Sequence, residues 1–195
     1  MLPTLFTPAP ITFSIWSIIY LSWIALGIYE AFWKSWVSKN NAYILASAQI
    51  ISSLWLIPSQ YLYIYTSLIV MIAVLFLLTI GLINSQKEDI YFRSTLELFF
   101  GWILVAFIAN IHLTLVAYNI YIIPEILTYI SILLALGVNA YLILKKHIYI
   151  PALVLVWAAI GIIIAQWDII TQILSWMTII SIIVLIGKNY LPIKK

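Results

Sequence analysis

Aromatic side chains recur along this chain at spacings that place them on common helix faces. Phe13, Trp16 and Tyr20 are separated by three and four residues, so one stripe of a helix would carry all three. Trp102 and Asn110 lie eight residues apart on a second helix. Aromatic walls with a few polar anchors suit flat, apolar small molecules, although the same pattern also fits packing between helices. The candidate ligand-binding residues are Phe13, Trp16, Tyr20, Trp55, Trp102, Ala106 and Asn110.

His112 is the ionisable residue that lies deepest within an apolar stretch. Counting from Thr95 places it roughly 25 Å along its helix. Two roles fit this position: a neutral histidine that is hydrogen-bonded to a neighbouring helix, or a histidine that contacts a ligand or haem. On an ideal helix Asn110 and His112 point about 200° apart, so they cannot both face a narrow cavity. Asn110 is preferred, because it continues the face of Trp102. No metal site is predicted, since His147 lies at the opposite membrane face.

The remaining polar residues do not assemble into a recognisable catalytic group. The chain has no cysteine, and no pair of nucleophile and base or acid and base is legible. Glu30, Glu97, Glu125 and Asp168 fall near the ends of apolar stretches, which disfavours an ion-coupled transporter. We therefore expect a protein that is not an enzyme.

The composition shows which solvent must surround these residues. Hydrophobic residues make up 66% of the 195 positions and charged residues only 8%, against about 25% charged in soluble domains. The apolar runs are about 20 residues long and do not alternate, so they predict membrane-spanning helices. The sequence predicts one all-α transmembrane domain over residues 1–195. Its seven helices are expected at about 10–32, 42–59, 61–84, 95–118, 122–144, 148–166 and 169–187.

The basic residues predict how these helices are oriented. All nine follow the first, third, fifth or seventh helix, and none lies at the opposite ends. Because basic loops stay in the cytoplasm, the pattern places the N-terminus outside and the C-terminus inside. We expect a bacterial or archaeal cell membrane rather than an organelle. The net charge of +3 is explained by this placement, so a nucleic-acid partner is not expected.

Four segments resemble tryptophan-rich sensory proteins, the TspO and peripheral benzodiazepine-receptor family. Residues 8–20 are similar to its proline followed by W-[ST]-x-x-Y, and residues 49–55 to its N-x-x-W, although the asparagine is missing. Residues 100–110 match W-x-x-x-A-x-x-x-N, and residues 156–162 match a W-A-x-x-G-I stretch of longer relatives. Familiar members have five helices, so this chain resembles a longer, divergent branch. Their ligand-binding loop before the motif is reduced here to residues 5–10.

The resemblance implies an integral membrane protein that binds or transports a flat hydrophobic ligand such as a porphyrin or sterol. Sensing and tetrapyrrole breakdown are also associated with the family, so the resemblance implies a tetrapyrrole-modifying activity as the alternative to a protein that is not an enzyme. Porphyrin or haem is then the expected ligand, with the lipid bilayer and a second copy of the chain as partners. Two alternatives stay open. The short loops fit an accessory subunit of a larger membrane complex, and a facilitator for a neutral solute is the third reading.

Overall fold

The computed structural model describes residues 4–32, 37–55, 57, 64–85, 89–118, 120 and 123–190. In these ranges the chain is helical apart from short connections, and no strand is present. A 3-10 turn at Pro10–Ser14 leads into α1, and a π-helical turn at Leu142–Lys146 extends α5. The seven helices of the described chain are α1 Ile15–Phe32, α2 Lys39–Leu54, α3 Ile64–Asn84, α4 Ile90–Ala117, α5 Pro124–Tyr141, α6 Ile150–Ala165 and α7 Ile169–Tyr190. The expected all-α class is confirmed.

Five of these helical stretches are long and apolar enough to cross a membrane. The exceptions are α2 and α6, each of 16 residues. Sixteen residues rise about 24 Å, which is less than the roughly 30 Å of a bilayer's hydrocarbon core. The five long apolar stretches confirm the multi-pass membrane class. The orientation of the termini, and the crossing of the membrane by α2 and α6, stay predictions. The five stretches are Pro10–Phe32, Tyr65–Asn84, Ile90–Ala117, Pro124–Lys146 and Ile169–Asn189.

Two helices begin earlier than hydropathy indicates, because polar residues start them. The Ser38 hydroxyl accepts a hydrogen bond from the Asn41 N–H at 3.3 Å, and α2 begins at Lys39 rather than near residue 42. The Asp89 carboxylate accepts from the Tyr91 N–H at 2.8 Å, and α4 begins at Ile90 rather than near residue 95. Such side chains pair with the free N–H groups of a first turn.

The chain divides into two compact units. The first, called the cavity unit, comprises residues 1–13 and 111–195, and the second, called the aromatic unit, comprises residues 14–110. Within the cavity unit α5 packs against both α6 and α7. Hydroxyl side chains of this unit donate hydrogen bonds to backbone carbonyls one helical turn earlier, for example Thr128 to the Pro124 carbonyl and Ser175 to the Thr171 carbonyl. Small residues of this kind allow close packing of membrane helices.

The absence of cysteine offers a direct test of the predicted orientation. Trp167 follows α6 and is 97% exposed, whereas Lys146 precedes α6 and is also exposed. In intact cells a membrane-impermeant maleimide should label Trp167→Cys but label Lys146→Cys only after lysis. The reverse pattern would contradict the orientation, and labelling of both from one side would show that α6 does not cross the membrane.

Candidate ligand cavity

The N-terminal segment, residues 4–13, is held in place by one side chain at the end of α6. The Gln166 Nε2 amide donates to two backbone carbonyls of the segment, Thr7 at 2.8 Å and Thr4 at 3.2 Å. Gln172 in turn donates from its Nε2 to the Gln166 carbonyl at 2.6 Å. Backbone oxygens that form no helical hydrogen bonds of their own are thereby satisfied in a largely apolar protein.

A second set of contacts packs the same segment against the middle of α6. The Trp157 indole N–H donates to the Thr12 carbonyl at 2.9 Å, and the Ala9 N–H donates to the Gly161 carbonyl at 2.9 Å. A Cβ placed on Gly161 would overlap Thr12 Oγ1 and lie 3.0 Å from Pro8 Cβ. Only glycine therefore permits this close approach without a shift of the segment.

The segment closes one side of a cavity of about 1200 Å³ within the cavity unit. This volume is above the usual 300–1,000 Å³ of small-molecule sites. The other walls come from the last turns of α4, the start of α5 and the end of α6. The lining residues among those described are Thr4, Leu5, Thr7, Pro8, Ala9, Pro10, Phe13, His112, Leu115, Val116, Ile120, Ile123, Pro124, Leu127, Ala165 and Gln166.

His112 is the imidazole in this lining, and it is fixed on two sides. Its Nε2 lies 3.0 Å from the Ser131 hydroxyl on α5. Its ring stacks on Phe6 of the N-terminal segment, with centroids 5.2 Å apart and planes inclined by 20°. Both rings are almost fully buried, at 3% and 1% exposure. The imidazole is therefore held in one orientation, between a serine hydroxyl and an aromatic ring.

Asp168 starts α7 two residues after Gln166. Its carboxylate accepts from the Thr171 N–H at 2.7 Å and from the Tyr129 hydroxyl at 3.1 Å. Hydrogen bonding from Thr171 and from Tyr129 holds the pKa of the Asp168 carboxyl below its usual range. This residue is therefore a fixed negative charge at neutral pH.

Most of the sequence-predicted residues lie in the aromatic unit, where they contact one another. The Trp16 ring stacks on Tyr20 with centroids 5.6 Å apart and meets Trp102 edge-on at 6.3 Å. Trp102 is only 2% exposed. Trp23 meets Phe99 edge-on at 4.8 Å beside them. These rings form packing within the unit, and their contact with a ligand stays a prediction.

Trp55 and Asn110 converge on a common partner in the aromatic unit. The Trp55 indole N–H and the Asn110 Nδ2 amide both donate to the Ser67 hydroxyl, the latter at 3.1 Å. Asn110 is 6% exposed, and Ala106 one turn before it is half-buried. Both residues belong to the candidate ligand-binding set predicted from the sequence, but Ser67 as their common partner was not predicted.

Phe13 and His112 are the two predicted residues that line the cavity. The structure thus places His112, rather than the preferred Asn110, at the described cavity. Gln166 and the N-terminal residues 4–10 were not among the candidate site residues, because Gln166 was placed at the end of a spanning helix and residues 5–10 were compared only with a reduced form of the family's loop. Two sequence features indicate this wall of the cavity. One is Gly161 in the W-A-x-x-G-I stretch, and the other is the pair Pro8 and Pro10, which restrict the backbone of the segment.

Comparison with known proteins supports the resemblance noted in the sequence. No curated protein and no solved structure matched the chain. The family model described as TSPO-like protein matches residues 1–189. That match includes both units and every wall of the cavity. The chain is thus a member of the TSPO-like protein family.

Proposed function

We propose that this TSPO-like membrane protein binds, as a receptor or carrier, a flat hydrophobic molecule such as a porphyrin or a sterol. The observation that supports this is the cavity of about 1200 Å³ beneath the N-terminal segment. Its described lining consists mainly of aliphatic and proline side chains together with Phe13, as is usual for sites that take apolar ligands. The family match adds support for a TspO-type protein.

The polar edge of His112 supplies the anchor for such a ligand. Ser131 engages Nε2, so a ligand group or a haem iron would approach Nδ1. The stacked Phe6 ring leaves the imidazole little freedom to turn, so the direction of that contact is preset. A flat ligand would then be oriented by one polar contact and enclosed by apolar walls.

We propose binding rather than catalysis as the role of this site. General acid–base catalysis usually divides proton donation and proton acceptance between titratable groups within reach of the reacting atoms. Among the described lining residues His112 is the one side chain with an ionisable group. An accessory-subunit role remains the alternative if the cavity takes no ligand.

Filling the cavity provides the test of this function. Leu127 lines the cavity on α5, whereas Leu134 lies two turns further along the same helix and is 63% exposed. Leu127→Trp should weaken the binding of protoporphyrin IX dimethyl ester at least about tenfold, which corresponds to about 1.4 kcal/mol. Leu134→Trp should bind like the parent protein. The measurement is an absorption titration of purified protein in nanodiscs.

Two results would contradict the proposal. Equal affinity of the parent protein and Leu127→Trp would place the ligand outside this cavity. No saturable binding of the porphyrin ester or of a sterol to the parent protein would leave the cavity without a ligand of the proposed class. In that case purification with stoichiometric membrane partners becomes the relevant experiment.

A further inference from the structure

The cavity is lined without a single formally charged side chain among the described residues. Its 16 lining positions contain no Lys, Arg, Asp or Glu. The sequence extends this observation beyond the lining. No Lys or Arg occurs in residues 1–33, 94–144 or 147–187, which include every segment that contributes a wall. A negatively charged ligand would therefore meet no lysine or arginine inside.

The charges nearest to the lining in sequence are negative. Glu125 is exposed and follows Pro124, which lines the cavity. Asp168 follows Gln166 by two residues, and its hydrogen bonds from Thr171 and Tyr129 keep it ionised. A carboxylate that enters an apolar site without a partner loses its hydration and gains nothing in return. Nearby acids add repulsion to that cost.

We infer that the cavity selects uncharged flat ligands and discriminates against carboxylates. This inference rests on the proposed function and narrows its ligand class. A sterol or an esterified tetrapyrrole satisfies the lining, because its polar groups are neutral. A tetrapyrrole with free propionates must either leave its carboxylates outside or bind weakly.

Protoporphyrin IX and its dimethyl ester make a matched pair, since they share one ring and differ in two negative charges. Both are titrated into the parent protein in nanodiscs of neutral lipid, and the signal of Leu127→Trp is subtracted to remove partition into lipid. The ester should bind at least about tenfold more tightly than the diacid. In a competition experiment, the ratio of the ester affinity to the diacid affinity should not depend on which porphyrin is added first.

A cation introduced at the rim tests whether charge is the cause. Ile120 lines the cavity, is 44% exposed and lies outside the helices, so it tolerates a long polar side chain. Ile120→Gln provides the uncharged reference, because both variants lose the same isoleucine side chain. Relative to Ile120→Gln, Ile120→Arg should bind the diacid at least about tenfold more tightly and the ester within about twofold.

The outcomes separate this inference from the function on which it rests. Diacid binding that equals or exceeds ester binding in the parent protein overturns the selectivity but leaves the ligand-binding function standing. Ester binding together with no gain of diacid affinity in Ile120→Arg overturns charge as its cause. No saturable binding of either porphyrin or of a sterol overturns both the function and the selectivity.

Discussion

Gly161→Ala should displace the N-terminal segment and lower the stability of the protein by about 1–3 kcal/mol, the usual cost of forcing extra atoms into a packed interior. The new methyl group would overlap Thr12 Oγ1 and would lie 3.0 Å from both Thr12 Cβ and Pro8 Cβ. Thr12 is 1% exposed and β-branched, so it cannot turn aside freely. The measurement is thermal unfolding in detergent, followed by titration with the porphyrin ester, whose affinity should fall as the cavity wall shifts.

Gly137→Ala is the matched control for this substitution. Gly137 lies within α5 of the same unit, and a Cβ there would meet nothing within 4 Å. Alanine should therefore stabilise that helix by about 0.5–1 kcal/mol, because it loses less backbone entropy than glycine. If Gly161→Ala matches this gain, the close approach of the segment to α6 is refuted.

The pair Thr12→Ala and Gly161→Ala should be strongly coupled. Thr12 Oγ1 is buried and has no hydrogen-bond partner among the described residues, so its removal alone should cost little. In the Gly161→Ala background the same removal relieves the worst overlap. We expect a coupling free energy of at least about 1 kcal/mol, within the range of residues in contact. Simple additivity would locate the strain elsewhere.

Gln166→Leu should detach the N-terminal segment from the end of α6 without creating a packing void. The substitution keeps the size of the side chain but removes the amide that donates to the Thr4 and Thr7 carbonyls. The Thr4 carbonyl keeps its hydrogen bond from the Thr7 N–H at 3.0 Å, whereas the Thr7 carbonyl loses the Gln166 donor. An acceptor left without a donor costs about 1–3 kcal/mol when buried. Gln166→Glu should be worse, because a carboxylate would then face two carbonyl oxygens.

The release is measured as the alkylation rate of a cysteine placed at Leu5, which is half-buried. A loss of 1.4 kcal/mol in local stability should accelerate alkylation about tenfold. Gln172→Leu is the control, since Gln172 bonds to the Gln166 carbonyl and not to the segment. Similar rates for the Gln166→Leu and Gln172→Leu backgrounds would show that Gln166 is not what holds the segment.

The helical fold could be predicted because the bilayer demands long apolar runs that sequence reveals directly. The helix starts were less accurate. Ser38 and Asp89 are polar, so hydropathy assigns them to loops, although their side chains start α2 and α4. α2 has only 16 residues, and several of them are polar. Hydropathy alone does not show whether such a helix crosses the membrane.

The cavity could not be predicted in the same way. Its closing wall is held by bonds to the backbone carbonyls of Thr4, Thr7 and Thr12, and every residue type has a carbonyl. The angular argument that Asn110 and His112 face different directions agrees with their partners, Ser67 for one and Ser131 for the other. The choice of Asn110 followed the aromatic face of Trp102, which is packed against Trp16.

The family-like W-A-x-x-G-I stretch has a physical explanation. Trp157 and Gly161 are four residues apart, so they lie on one face of α6. One donates to the Thr12 carbonyl, and the other leaves room for the Thr12 side chain. The resemblance therefore identified residues that position the N-terminal segment.

The hydrogen bonds of the N-terminal segment also set an order of events during synthesis. Thr12 is separated from Trp157 by 145 residues, and Thr4 from Gln166 by 162. At about 5–20 residues per second, the ribosome needs on the order of ten seconds to make the residues between them. The N-terminal segment must therefore wait until the end of α6 has been made. The cavity is completed late in synthesis, and a chain that stops before residue 166 lacks the side chain that secures its wall.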